Sequence, residues 1–167
     1  DVKEGDVIEA YLMEEVKSDG VPCSVAVVGM DWHRTKVPDG RNGWTGYTWN
    51  KELFPDYKEF LSYLHKCGLK TSLNLHPADG VCPHEEMYPE MAKACGVDIS
   101  ANKRVPFNVL SKDYMEKYFD ILHHPYEKDG IDFWWIDWQQ GGNCKRIIEE
   151  NPDFNFKKDI ADFDPLW

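Results

Sequence analysis

Basic residues are in short supply: 19 Lys and Arg stand against 30 Asp and Glu, a formal net charge of −11. A nucleic-acid binder needs a basic surface to release counterions from phosphate, so the charge argues against that partner class. No apolar run reaches the roughly 18 residues that a membrane-spanning helix requires. No charged-then-apolar leader opens the sequence, so a signal peptide, if there was one, is expected to be gone or to lie outside it. The five cysteines (Cys23, Cys67, Cys82, Cys95, Cys144) are odd in number and include no C-x-x-C pair. That favours free thiols, leaves room for one or two bridges, and leaves the compartment undecided.

Catalytic signatures of several classes are missing too. His76, Asp79, Cys82, His84 and Glu85 lie within ten residues of one another and carry N, O and S donors. Yet no H-x-H, H-E-x-x-H or C-x-x-C spacing accompanies them, so no metal site and no cofactor is expected. The adjacent His123 and His124 are accounted for by a helix end, where the dipole favours a cation. Neither a G-x-S-x-G elbow nor a phosphate-cradling G-x-x-x-x-G-K is present, which gives acyl transfer and nucleotide chemistry no foothold.

Aromatic residues, by contrast, are plentiful: 14% of the chain, with seven Trp. Most such residues are core, but the flat indole face also matches the C–H face of a pyranose. Three apolar runs read as strands: Cys23–Met30 ("CSVAVVGM"), Leu69–Leu75 ("LKTSLNL") and Ile131–Ile136 ("IDFWWI"). The first is continuous and β-branched and the second shorter and mixed; continuous rather than alternating hydrophobicity predicts parallel strands covered on both faces. Helical segments separate them: Gly5–Lys17, a helix capped by Asp56 and stopped by Gly68, Glu85–Ala94, and a helix capped by Ser111. This alternation predicts an α/β protein with right-handed crossovers. Segments after the strands are long and those before them short, so function is expected at the C-terminal strand ends.

Each strand runs into polar residues there. Asp31, Trp32 and His33 follow the first, Asn74 and His76 surround the end of the second, and Asp137 closes the third. Three such ends in register on adjacent parallel strands would converge on one cleft. Asp137 is the sharpest case, because "GIDFWWID" places an ionisable carboxylate at the end of a run in which burial penalises its charge. The structural alternative is a carboxylate capping the following turn.

The quoted stretches together resemble glycoside hydrolase family 31, the retaining α-glycosidases. "GIDFWWIDWQQG" resembles the family's nucleophile strand, usually G-x-D-G-x-W-x-D-M-N-E. "VVGMDWH", "GWTGYTWNKELFPD", "LHKCGLKTSLNLHPADGV" and "HHPYEKDG" resemble consecutive stretches in family order, from about Val7 to Trp167. The resemblance implies a catalytic nucleophile at Asp137, a neighbouring aromatic at Trp135, and an Asp31 that holds a sugar hydroxyl. Trp32, His33, Asn74, His76, Trp138 and Gln139 fall on positions implied to bind substrate. Trp138-Gln139-Gln140 replaces the usual Met-Asn-Glu, leaving the sugar open among glucose, galactose, an N-acetylated sugar and a modified one.

A complete (β/α)8 barrel takes roughly 250 residues. The resemblance therefore implies a partial barrel over residues 1–167, about strands two to four, with 142–163 as a surface excursion. The general acid/base is expected beyond Trp167, so the chain alone is expected to be inactive. The implied partners are a carbohydrate substrate and the rest of a parent polypeptide, or another chain, completing the barrel. Asp79 and Glu85 are acid/base candidates with nothing to support them, and Asp132 faces away from Asp137 because an odd separation switches strand faces. The competing readings are a catalytically inactive sugar-binding barrel remnant and a metal-dependent barrel hydrolase.

Overall fold

The computed structural model describes residues 18–36, 43–109 and 111–137. The expected Gly5–Lys17 helix, Trp138, Gln139, Cys144 and the 142–163 excursion lie outside the described residues. Three strands, β1 (Val25–Val28), β2 (Lys70–Leu75) and β3 (Phe133–Ile136), form one parallel sheet in the order β1-β2-β3. Helix α1 (Tyr57–Lys66) joins β1 to β2. Between β2 and β3 run α2 (Tyr88–Ala94), α3 (Lys112–Tyr118), a π-helical turn (Phe119–His123) and α4 (His124–Asp129).

Local chemistry sets most of these boundaries. The Asp56 side chain accepts the Glu59 N–H at 2.9 Å and caps α1, while Gly68, with φ +82°, takes the left-handed turn that ends it. The Ser111 hydroxyl accepts the Tyr114 N–H and caps α3. Helix α2 begins at Tyr88 rather than at the expected Glu85, with Pro89 in its first turn, where a missing N–H costs nothing. Residue 85 is instead drawn into the loop network described below.

Register puts Val28, Leu73 and Trp134 side by side on one sheet face. That face joins the core, where Leu61 of α1, Leu73, Leu75, Trp32, Trp49, Met91 and Leu122 are almost wholly buried. Full burial of one such aliphatic side chain stabilises by about 1.5–3 kcal/mol. Trp134 packs on His123 at a ring separation of 4.3 Å and donates its indole N–H to Glu127 at 3.1 Å, which ties α4 to β3.

The opposite face departs from the sequence expectation. Val27, Phe133 and Trp135 are 48%, 44% and 51% exposed, although Ser72 and Asn74 between them on β2 are buried. Continuous apolar runs predict cover on both sides, and the described residues supply it on one side only.

At the N-terminal end of the sheet, Asp132 accepts from Lys70 Nζ (2.7 Å), His65 Nε2 (2.9 Å) and the Thr71 N–H (2.9 Å). Partial burial would raise its pKa, but these donors outweigh burial and hold the carboxyl well below the usual range. Asp132 is thus a structural bolt at the end of the sheet remote from Asp137. The two histidines also divide. His124 pairs with Asp120 at 3.0 Å, whereas His123 is fully buried against Tyr118, Phe119 and Trp134, with neither ring nitrogen hydrogen-bonded. Burial, assisted by His124, lowers the His123 pKa to about 3. A neutral ring gains nothing from a helix dipole, so for His123 the helix-end explanation is replaced by core packing.

Candidate functional site at the C-terminal strand ends

The C-terminal ends of β2 and β3 bring two of the expected residues together. Asp137 continues the ladder one step past β3, its N–H donating to the Leu75 carbonyl at 2.8 Å. Its carboxylate oxygen stands 3.7 Å from Nε2 of His76, within ion-pair reach if the ring is protonated. The His76 side chain is buried, while half of the Asp137 side chain is open. A half-open carboxylate beside a buried ring is accessible to a ligand and yet restrained on one side.

Trp32 and His33 are completely buried. The Trp32 indole N–H donates to the Asn74 carbonyl at 2.6 Å, fastening the segment after β1 to β2. Burial lowers the His33 pKa, opposed in part by the Arg34 carbonyl and the Glu85 carboxylate. Both side chains therefore support the strand ends from within. Asn74 is buried with its amide nitrogen unbonded, and its register partner Trp135 is exposed on the same face. Asp31 is exposed and accepts the Thr35 hydroxyl at 3.2 Å.

Sequence reasoning missed how the long loops are locked together. Glu85 is 4% exposed. Its carboxylate accepts the Thr48 hydroxyl at 2.5 Å and the Tyr47 N–H at 3.2 Å, with His84 Nε2 at 3.4 Å. The Thr48 oxygen accepts the Glu86 N–H at 2.9 Å, and the Thr45 hydroxyl accepts the Asp79 N–H at 3.1 Å. The loop after β1 is thereby stitched to the loop after β2. A carboxylate so enclosed has no route to a leaving group, and Glu85 drops out as an acid/base candidate. Asp79 is occupied by Arg104 at 3.1 Å. The only advance signal was compositional: "GWTGYTWN" is dense in small and aromatic residues without helical or strand periodicity.

No three His, Cys, Asp or Glu side chains among the described residues are grouped to hold a metal ion. Among the described residues, Cys23, Cys67, Cys82 and Cys95 form no disulfide bond. No helix among the described residues is long and apolar enough to cross a membrane.

The sequence matches the family model of the glycosyl hydrolases family 31 TIM-barrel domain over residues 6–162. The chain belongs to glycosyl hydrolase family 31. Its three parallel strands and connecting helices are accordingly part of that family's α/β barrel domain. A curated relative, an α-xylosidase from Saccharolobus solfataricus, is 24% identical over 127 residues, which cover 75% of this chain and 16% of the relative. Among solved structures, a family 31 α-xylosidase from a soil metagenome complexed with xylose superposes with a TM-score of 0.56 at 16% identity. The superposition covers 81% of this chain and 20% of that one. At that identity the likeness shows the fold. The family 31 chain described here thus spans less than a quarter of the length of either relative.

Proposed function

We propose that this chain supplies the nucleophile-bearing part, about strands two to four, of the catalytic barrel of a retaining α-glycosidase. The observation that carries the reading is the Asp137 carboxylate, half open and 3.7 Å from buried His76, at the C-terminal ends of adjacent parallel strands. In a barrel of this family that edge is where catalytic groups collect.

In this reading an Asp137 oxygen attacks the anomeric carbon. The bond to the leaving oxygen breaks as a second carboxyl group, contributed from outside the described residues, protonates it. Water activated by that same group then displaces Asp137 and releases the sugar. Retention places the two carboxyl groups about 5–5.5 Å apart. His76 restrains and partly screens the attacking carboxylate. Asp31 takes a ring hydroxyl, and Trp135 presents an apolar surface two residues before the nucleophile on the same strand face.

The sheet itself supports a larger assembly. Val27, Phe133 and Trp135 expose apolar side chains on one sheet face, on either side of Ser72 and Asn74, and β1 and β3 are open edges among the described residues. The remainder of a parent polypeptide, or a second chain, would close the barrel over them. The substrate class is an α-glycoside; α-xylosides enter the test because both relatives are described as α-xylosidases.

The test is steady-state hydrolysis of aryl α-xyloside, α-glucoside, α-galactoside and α-N-acetylgalactosaminide by the full-length polypeptide and its Asp137→Asn variant. Loss of kcat by roughly a thousandfold or more, with folding intact, is the expected result. A variant that retains parental kcat on the preferred glycoside refutes the assignment.

A further inference from the structure

One aromatic at this edge has no structural task. In the loop 43–50, residues 43 and 45–49 are all buried, whereas Trp44 is 48% exposed. The loop is held from several directions. Gly43 donates to the Thr35 carbonyl at 2.9 Å, Asn50 to the Trp32 carbonyl at 2.8 Å, and Tyr126 donates its hydroxyl to the Tyr47 carbonyl at 2.6 Å. The Glu85 carboxylate fixes Tyr47 and Thr48 from the far side. Gly46 lets the loop lie directly on His33, since a Cβ there would stand 2.2 Å from the ring nitrogen.

The result is a rigid support carrying one open indole. That indole and the His76 ring lie nearly perpendicular at a ring separation of 5.3 Å, and His76 in turn faces Asp137. We infer that Trp44 is a sugar-binding platform, its open indole face receiving the C–H face of the sugar whose anomeric carbon is presented to Asp137. An exposed apolar side chain on a flexible loop would lose much of its contact energy in ordering. Here the ordering precedes binding, so the apolar burial contributes to affinity with little entropic cost. His76 touches both groups and sets the spacing between platform and carboxylate.

This inference rests on the glycosidase reading, and a binding measurement separates the two. The full-length polypeptide and its Trp44→Ala and Trp44→Phe variants are titrated with D-xylose, D-glucose, D-galactose and N-acetyl-D-galactosamine by calorimetry. Melting temperature and KM and kcat on the preferred aryl α-glycoside are measured alongside. For the sugar that binds, Trp44→Ala is expected to weaken affinity by about tenfold or more, equivalent to about 1.4 kcal/mol. Trp44→Phe is expected to stay within about threefold of the parent, because it keeps a flat ring. A half-open side chain contributes little to folding, so the melting temperature is expected to hold while KM rises. Equal affinity of parent and Trp44→Ala overturns the platform and leaves the Asp137 assignment standing. Failure of the parent to bind any of the four sugars overturns the platform together with the reading beneath it. A fall in melting temperature that Trp44→Phe restores, without a change in affinity, assigns Trp44 to structure and refutes the inference.

Discussion

Replacing His123 by Phe tests whether the helical layer behind β3 is packed as described. His123 is fully buried, its ring tilted against Trp134 at 4.3 Å and Tyr118 at 4.6 Å, and both ring nitrogens lack hydrogen bonds. In the unfolded chain an imidazole protonates near pH 6.5, whereas burial holds the folded pKa at about 3. Between those values the unfolded chain binds the extra proton, so stability is fully present above pH 6.5 and falls as the pH drops. The slope is about 1.4 kcal/mol per pH unit, hence a loss of about 2–3 kcal/mol between pH 6 and pH 4. Phenylalanine keeps an aromatic ring but cannot titrate. Its extra bulk costs about 1–3 kcal/mol, and that cost is the same at every pH. The diagnostic is therefore the slope rather than the absolute stability. Other acid-sensitive groups, Asp132 among them, act equally on parent and variant and cancel in the difference. Urea unfolding followed by tryptophan fluorescence at pH 4, 5, 6 and 7 should show the stability difference shifting towards the variant by about 2–3 kcal/mol from pH 6 to pH 4. Parallel pH dependences would mean that His123 titrates normally and is not buried in the manner described.

Gly46→Ala should cost about 1–3 kcal/mol and lower activity, because the new methyl collides with the buried His33 ring; urea unfolding and steady-state kinetics check both. Trp32→Phe removes the 2.6 Å donor to the Asn74 carbonyl and should destabilise by about 1–2 kcal/mol in the same unfolding assay. Asp132→Asn takes away a carboxylate whose folded pKa is depressed. Its contribution is present above the unfolded carboxyl pKa and disappears as pH falls through the lower folded value, so the variant should be destabilised at pH 7 and approach the parent in strong acid, as read by melting temperature.

The elements that sequence made legible are those whose cause is local. Apolar runs, two of them continuous and the one at Leu69–Leu75 mixed, announced the three strands, and Asp56, Gly68 and Ser111 marked helix ends because capping and left-handed turns act over three or four residues. Of the candidate site, the sequence marked His76 and Asp137, which the strand ends bring within 3.7 Å of each other. What escaped depends on partners distant in the chain. Thr48 and Glu85 lie 37 positions apart, and nothing in either neighbourhood announces that a buried carboxylate joins them. His123 was read from its position near a helix end, yet the chain passes through a π-helical turn into α4 and drives that ring beneath Trp134. The exposure of Val27, Phe133 and Trp135 escaped for a different reason. Apolar runs report what a face requires, not whether the covering partner belongs to the same stretch of chain.

The central claim, that Asp137 forms a bond to an anomeric carbon, is tested most directly by trapping that bond. The full-length polypeptide is incubated with the 5-fluoro glycosyl fluoride matching its preferred substrate, digested, and sequenced by tandem mass spectrometry. One added glycosyl group is expected, carried on the Asp137 side chain and lost when excess acceptor restores turnover. A glycosyl adduct on any other carboxylate, or steady turnover of substrate with no adduct on Asp137, would contradict it.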